Sequence, residues 1–84
     1  MTTQVINQRV IVFLPDTLGK YTATRTKHIL SGKTVRDLIL SLKVAYPSAS
    51  EALDNCVIDW NGRRLLLDNE VYDGDEIYLK ETKR

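Results

Sequence analysis

The stretch TVRDLILSLKVAYP, residues 34–47, largely decides the fold of this 84-residue chain. Its apolar side chains recur at the spacing of one helix face, and Thr34 with Asp37 three residues later resembles a capping box. Pro47 ends the helix, because proline cannot continue the backbone hydrogen-bond ladder. We therefore expect one amphipathic helix that packs on a sheet through an apolar stripe of Val35, Leu38, Ile39, Leu42 and Tyr46.

Two strands are predicted before this helix and three after it. Asn61-Gly62 is a strong hairpin signal, because both central residues of a type I′ turn need positive φ. Asp73-Gly74-Asp75 marks another tight turn, and a weak second helical turn is expected within residues 48–55. The predicted strands, the second of which is a half-exposed edge strand, are residues 9–14, 21–30, 56–60, 63–67 and 76–80.

The order ββαβββ, with one central helix packed on one face of a mixed sheet, is the β-grasp (ubiquitin-like) arrangement of the α+β class. The chain is long enough for one domain only. We predict a single domain over residues 1–84, with a flexible N-terminus at 1–7 and a C-terminal tail at 80–84. The predicted core consists of Val10, Val12, Leu14, Leu38, Leu42, Ile58, Ile77 and Leu79.

Composition argues against several classes of function. Twelve Lys and Arg against eleven Asp and Glu leave a formal charge of +1, so no global field favours nucleic acid or an anionic membrane. The start of the chain is polar and the apolar runs are short, which argues against a signal peptide or membrane span and predicts a cytoplasmic protein. One cysteine forms no internal disulfide, and no metal or cofactor motif is present.

No catalytic constellation emerges from the sequence, so we predict that the chain is not an enzyme. His28, the single histidine, falls in the polar alternation of the predicted edge strand and is expected to be solvated. Cys56 begins a strand, where free cysteine usually acts as a small buried apolar residue. Asp73 and Asp75 flank a turn glycine, and turn chemistry explains both.

The informative feature is the sheet face opposite the helix. If Val10 and Val12 point to the helix, period two sends Ile11 and Phe13 to the other face, where a chain this short has no second layer. Tyr78 of the neighbouring last strand joins them, so Phe13 is expected to be exposed. Such an apolar cluster with a charged rim, formed by Arg9, Asp59 and Lys80, is typical of a docking surface. The alternative is a register shifted by one residue, which would place these side chains in the core.

Several segments resemble the small sulfur-carrier family that includes the molybdopterin synthase small subunit and the thiamine-biosynthesis carrier. The likeness spans nearly the whole chain, and the order and spacing of its segments make it specific. The segments are Val10-Ile11-Val12-Phe13-Leu14-Pro15, Leu18-Gly19-Lys20-Tyr21-Thr22, Thr34-Val35-Arg36-Asp37-Leu38, Tyr46-Pro47, Trp60-Asn61-Gly62 and Asp73-Gly74-Asp75-Glu76-Ile77.

The resemblance implies a partner enzyme and a flexible tail that ends in two glycines. In the family, the terminal carboxylate enters the channel of a partner, is adenylated and becomes a thiocarboxylate. Here the last residues are Lys80-Glu81-Thr82-Lys83-Arg84, without a glycine pair. A glycine tail passes a narrow slot that side chains would block.

Two functions follow as expectations. The first is a non-catalytic accessory or interaction subunit that docks on a larger metabolic enzyme through Ile11, Phe13 and Tyr78 and through the tail from Lys80 to Arg84. The second is a genuine sulfur carrier whose Gly-Gly is missing from this sequence, and its partner would be an adenylating or sulfur-transfer enzyme.

Overall fold

The computed structural model describes residues 8–82. The N-terminal segment 1–7, which the sequence predicts to be flexible, lies outside the described residues. Lys83 and Arg84 of the predicted tail also lie outside them.

Residues 8–82 form five strands and three α-helices, of which one is long. Short 3-10 turns at Asp16–Leu18 and Pro47–Ala49 lead into the two shorter helices. The strands are β1 (Val10–Phe13), β2 (Lys27–Leu30), β3 (Cys56–Trp60), β4 (Arg63–Leu65) and β5 (Glu76–Glu81), and the helices are α1 (Gly19–Thr22), α2 (Val35–Ala45) and α3 (Ser50–Asp54).

The five strands form one mixed sheet in the order β2-β1-β5-β3-β4. β1 and β5 pair in parallel, with Val12 opposite Ile77, and the other neighbours are antiparallel. This arrangement, with α2 across one face, confirms the predicted β-grasp fold and the adjacency of the first and last strands.

A capping box starts α2, as the sequence predicts. The Asp37 N–H donates to Thr34 Oγ1 at 3.4 Å, and Asp37 Oδ2 accepts from the Thr34 N–H at 3.2 Å. The same carboxylate oxygen accepts a second bond, from the Lys33 N–H at 2.9 Å. These bonds satisfy backbone donors that the helix itself leaves free.

The predicted core is confirmed, because all eight of its residues are buried. The apolar stripe of α2 faces the sheet, and Tyr46 at its end is half-buried against the core. The turns and connections add buried residues that the strand and helix patterns did not predict. These additional core residues include Leu18, Ala49, Leu53 and Val71.

The second predicted strand is wrong over its first half. Residues 16–22 form helical turns that bury Leu18 and Thr22, and only Lys27–Leu30 pairs with β1. The turns end where Ala23 and Thr24 adopt positive φ values of 55° and 65°. The alternation of threonines with other side chains favours a strand only weakly. The free energy gained by burying Leu18 in a helical turn outweighs that local preference. The strand is nevertheless at the sheet edge, as predicted.

Two later strands differ in length from their predictions. β4 ends at Leu65, since the chain then turns and the Leu66 N–H donates to Asn69 Oδ1 at 2.6 Å. β5 extends through Glu81, so Lys80, predicted to begin the tail, instead pairs with Val57. The turn between β3 and β4 has φ values of 53° at Asn61 and 82° at Gly62, as the type I′ prediction requires.

The capping carboxylate makes stability depend on pH. Hydrogen bonds from the backbone of Lys33 and then of Thr34 lower the pKa of Asp37. Its contribution is therefore complete above the unfolded pKa of about 3.9 and is lost as pH falls through the lower folded value. We expect Asp37→Asn to be less stable than the wild type at neutral pH, with the difference shrinking in acid.

Urea unfolding of the wild type and of Asp37→Asn, from neutral pH down to below the folded pKa of Asp37, checks the expectation. Asp16→Asn is the matched control, because the Asp16 side chain makes no hydrogen bond within residues 8–82. Equal stability of Asp37→Asn and wild type at neutral pH would contradict the prediction.

Candidate docking face

The sheet has one face that no other layer covers within residues 8–82, and we call it the open face. Successive side chains of a strand alternate between faces, and paired residues on neighbouring strands share one. Val10 and Val12 are fully buried beneath α2, so the opposite side chains of β1 belong to the open face. The open face comprises Ile11, Phe13, Lys27, Ile29, Val57, Asp59, Arg64, Glu76, Tyr78 and Lys80.

An aromatic pair lies at the centre of this face. Phe13 and Tyr78 are directly paired across the parallel strands, and their rings stack with centroids 4.6 Å apart and planes 11° from parallel. Phe13 is half-buried rather than exposed as predicted, because the Tyr78 ring covers part of it. Tyr78 itself remains 43% exposed. The stack holds both rings in place.

Aliphatic side chains extend the aromatic centre toward β2. Ile11 is half-buried and pairs with Ile29, which is 61% exposed. The predicted register is therefore right, since a shift of one residue would have buried Ile11 and Phe13 and exposed Val12. The sequence-predicted residues Ile11, Phe13 and Tyr78 are brought together on two adjacent strands.

Charged groups border the apolar centre on the β3 side. Lys80 Nζ lies 2.8 Å from Asp59 Oδ2, so two predicted rim residues form an ion pair. Arg64 lies opposite Asp59 on β4, which adds a second cation to this border. Exposed Arg9 lies just before β1, where its N–H donates to Asp73 Oδ1 at 2.7 Å. Arg84, predicted to bind the partner, lies outside the described residues.

Sequence reasoning missed half of the open face. The omitted residues come from β2, β3, β4 and the start of β5. The pattern of one strand alone does not reveal how that strand pairs with its neighbours. The sequence does carry a signal for Ile29. It lies between His28 and Leu30 in a short strand, so its side chain must point to the opposite face from theirs. The missed residues are Lys27, Ile29, Val57, Arg64 and Glu76.

A groove of about 380 Å³ lies on the other side of the sheet, between α2, α3 and β4. Its walls are mainly leucine and isoleucine, and two of its cations form ion pairs: Arg36 pairs with Asp68 at 2.6 Å, and Lys43 pairs with Asp54 at 2.5 Å. It offers no pair of groups suited to nucleophilic or acid-base chemistry.

Cys56, which also borders the groove, is held in its neutral form. Burial, followed by the nearby charge of Glu81, raises the pKa of the Cys56 thiol to about 11. Its Sγ lies 3.4 Å from the Ala52 carbonyl oxygen, to which it donates. A thiol with this pKa is a poor nucleophile near neutral pH, because the thiolate is the reactive form.

The described residues 8–82 contain neither a metal-ligand cluster nor a helix that could span a membrane. These residues do not bring together three His, Cys, Asp or Glu side chains in an arrangement suited to a metal ion. Within the same range, every helix is too short or too polar to cross a bilayer.

His28 is not solvated as predicted. It pairs with Val12 and therefore faces the helix side, where its Nε2 lies 2.9 Å from the Tyr46 hydroxyl. Burial, and then the charge of Arg25, lower the pKa of His28. The prediction failed because the register of β2 against β1 places His28 on the helix side of the sheet. The alternation of side chains around Lys27 does not by itself define that register.

Solved structures of other proteins share the fold of this chain. The chain is similar to a structure of the BexX/CysO complex from Amycolatopsis orientalis, with TM-score 0.78, 20% identity and coverage of 89% of this chain and 97% of that one. A Pyrococcus furiosus protein assigned as molybdopterin converting factor subunit 1 matches with TM-score 0.73, 24% identity and coverage of 86% and 94%. Small archaeal modifier protein 1 from Methanosarcina acetivorans matches with TM-score 0.76, 24% identity and coverage of 89% and 93%.

These neighbours confirm the ubiquitin-like β-grasp fold that the resemblance predicts. No protein-family model and no curated protein matches the chain. At such identities the likeness concerns the fold, and the chemistry of this chain must be argued from its own residues.

The aromatic stack should contribute measurable coupling. We expect a double-mutant cycle of Phe13→Ala and Tyr78→Ala to give a coupling free energy of about 1 kcal/mol in urea unfolding. Pairing Phe13→Ala with Tyr72→Ala is the control, because Tyr72 instead donates its hydroxyl to Glu70. Coupling near zero for the first pair would contradict the stacked geometry.

His28 should titrate below the usual histidine range. Because its folded pKa lies below the unfolded value of about 6.5, its contribution to stability is complete above that pH and is lost as pH falls toward the folded pKa. Proton NMR of the imidazole ring measures the pKa directly, with urea-unfolded protein as the reference. A native pKa at or above the unfolded value would contradict the burial.

Proposed function

We propose that this protein is a non-catalytic β-grasp protein of the cytoplasm that docks on a larger protein through its open face. The observation that carries the proposal is the Phe13 and Tyr78 stack, flanked by Ile11 and the exposed Ile29. In protein interfaces, a few central side chains, often aromatic, usually supply most of the binding energy, and a polar border surrounds them. The border is formed by the Asp59 and Lys80 pair, with Arg9 and Arg64 nearby.

The stack reduces the cost of binding at this face. Side chains that become ordered at an interface lose rotamer freedom, and each such loss weakens association. Phe13 and Tyr78 already hold each other in the free protein, so a partner gains their contact area with little further ordering. An apolar surface on the partner, bordered by opposite charges near Lys80 and Asp59, would complement this face.

Two roles are compatible with docking, and the comparisons favour the carrier role. The structural neighbours include a CysO complex, a molybdopterin converting factor subunit and a modifier protein. A carrier of the kind that the sequence resembles would present its C-terminal carboxylate to an adenylating enzyme. β5 ends at Glu81, so the tail would leave the sheet beside the open face border at Lys80. An accessory subunit would use the same face without tail chemistry.

Replacing Phe13 with aspartate should abolish docking and leave the fold intact. The reason is that the variant replaces the apolar ring at the patch centre, together with its stack on Tyr78, by a hydrated carboxylate whose desolvation in the complex costs free energy. Affinity purification from the source lysate, with wild type and variant as parallel baits and mass spectrometry of the captured proteins, measures the effect. Partners retained by wild type and lost by Phe13→Asp identify the docking partner.

Leu66→Asp is the matched control, because Leu66 is 68% exposed but borders the groove rather than the open face. It should keep the same partners. Circular dichroism of each variant tests folding, and unfolding of Phe13→Asp would place Phe13 in the core instead. Equal capture by Phe13→Asp and wild type would sink the docking proposal.

Intact-mass analysis of the natural protein separates the two roles. A carrier would be supported by two glycines after Arg84 and by a two-step change in the presence of the captured enzyme. ATP would adenylate the terminal carboxylate with release of pyrophosphate, and added sulfide would then displace AMP to give a thiocarboxylate. A natural chain that ends at Arg84 and stays bound without change of mass would support an accessory subunit.

A further inference from the structure

The tip of the β3–β4 hairpin carries the single Asn-Gly pair of the chain, Asn61-Gly62. The proposed docking on the open face uses neither residue. Both are exposed, and a Cβ atom placed on Gly62 would have no atom within 4 Å beyond the adjoining residues of the chain. Asparagine is a thermolabile residue, because the backbone nitrogen that follows it can attack its side-chain amide. The hairpin tip therefore presents a reactive group to water.

The reaction open to Asn61 is deamidation through a cyclic imide. The backbone nitrogen of Gly62 loses its proton to water and attacks Asn61 Cγ, so that an N–Cγ bond forms. The Cγ–Nδ2 bond then breaks, and ammonia leaves after taking up a proton. Water opens the imide at either carbonyl carbon: cleavage of the new N–Cγ bond gives aspartate, whereas cleavage of the original peptide bond gives isoaspartate, in which the backbone passes through the side chain. Water is the only co-reactant, and nothing is oxidised or reduced.

Local structure favours this ring closure at Asn61. Gly62 has no Cβ, so its nitrogen approaches Cγ with the backbone freedom that only glycine has. None of the side-chain hydrogen bonds within residues 8–82 holds the Asn61 amide. Asn69 differs on both counts, because Glu70 follows it and its Oδ1 accepts from the Leu66 N–H at 2.6 Å.

The tight turn has to open before the ring closes, because it fixes the backbone on both sides of Asn61. Opening costs little at this place, since β4 has only three residues and is the last strand in the sheet order. Short elements with exposed backbone hydrogen bonds open locally at low free energy. The rate of deamidation at Asn61 therefore depends on transient opening of the hairpin tip.

We propose that Asn61 is a site of spontaneous deamidation and that its isoaspartate product separates the tip of β3 from β4. The type I′ loop at Asn61-Gly62 sets the pairing of Trp60 with Arg63. Isoaspartate adds a carbon atom to the backbone of this loop, so the loop no longer fits that pairing. The aspartate product keeps the loop but adds a carboxylate.

The modification also changes the charge beside the open face. Asn61 borders a surface depression together with Asp75, Glu76 and Tyr78. Either product places a new carboxylate near these two acidic side chains and the exposed Tyr78 ring. We expect the aged protein to capture less partner, because the new carboxylate is desolvated in the complex. This consequence rests on the proposed docking function, whereas the deamidation itself does not.

Peptide mapping of the aged full chain tests the proposal. The purified protein is kept at mildly alkaline pH, digested with trypsin and analysed by mass spectrometry, in which each event replaces an amide NH2 by OH. Trypsin cleaves after Lys43 and Arg63, so Asn55 and Asn61 lie in one peptide and fragment ions compare them directly. We expect Asn61 to react at least ~10-fold faster than Asn55, which Cys56 follows, and this ratio corresponds to about 1.4 kcal/mol of activation free energy.

Asn61→Gly is the matched control, because Gly-Gly also suits a type I′ turn but carries no side-chain amide. The hairpin tip of this variant should show no gain in mass. In amide NMR spectra of isotope-labelled protein, ageing should shift the Trp60 and Arg63 signals of the wild type and leave those of Asn61→Gly unchanged.

Each part of the proposal has a result that would overturn it. Reaction at Asn61 no faster than at Asn55 would overturn the modification site. Isoaspartate at Asn61 without shifts of the Trp60 and Arg63 signals would overturn its effect on the hairpin. Equal capture of one partner by fresh and aged wild type would overturn the effect on the open face. Capture of the same proteins by fresh wild type and Phe13→Asp would instead contradict docking and leave the deamidation site unaffected.

Discussion

Packing of α2 on the parallel pair β1 and β5 is the constraint on which the rest of the structure depends. Val10, Val12 and Ile77 are at most 1% exposed beneath the helix, so the inward side of both central strands is committed to the core. Because side chains alternate in a strand, that commitment also decides which residues face outward. The capping box at Thr34 starts the helix where its apolar stripe meets this pair.

Helix α2 packs on one face of the sheet, and the alternation along each strand decides which side chains lie on the other face. In this chain the outward positions of the central strands are apolar at Ile11, Phe13 and Tyr78, where a freely solvated sheet would carry polar side chains. The Phe13 and Tyr78 stack hides part of that area. The remaining exposure of Tyr78 and Ile29 is surface that folding alone leaves unused, which is the physical basis for a docking face.

The sequence predicts α2, β3, the Asn61-Gly62 turn and the whole initial core list, because each rests on a strong local pattern. The first half of β2 was wrong, since alternating threonines favour a strand only weakly and burial of Leu18 favours a helical turn. His28 and the outer members of the open face depend on the register between strands. Register is a tertiary property, so Ile29 and Arg64 emerged as members of this face only in the folded structure.

A net charge of +1 hides an uneven distribution. The stretch from Thr17 to Arg36 has no carboxylate, whereas the connection between β4 and β5 carries Asp68, Glu70, Asp73 and Asp75. At physiological salt, screening confines electrostatic attraction to about 8 Å, so a partner responds to the charges beside its contact rather than to the sum over the chain. Near-neutral composition argues against recognition by a global field, but it leaves room for a local one. The open face presents apolar area around a mixed border, whereas the stretch from Thr17 to Arg36 presents cations without a carboxylate.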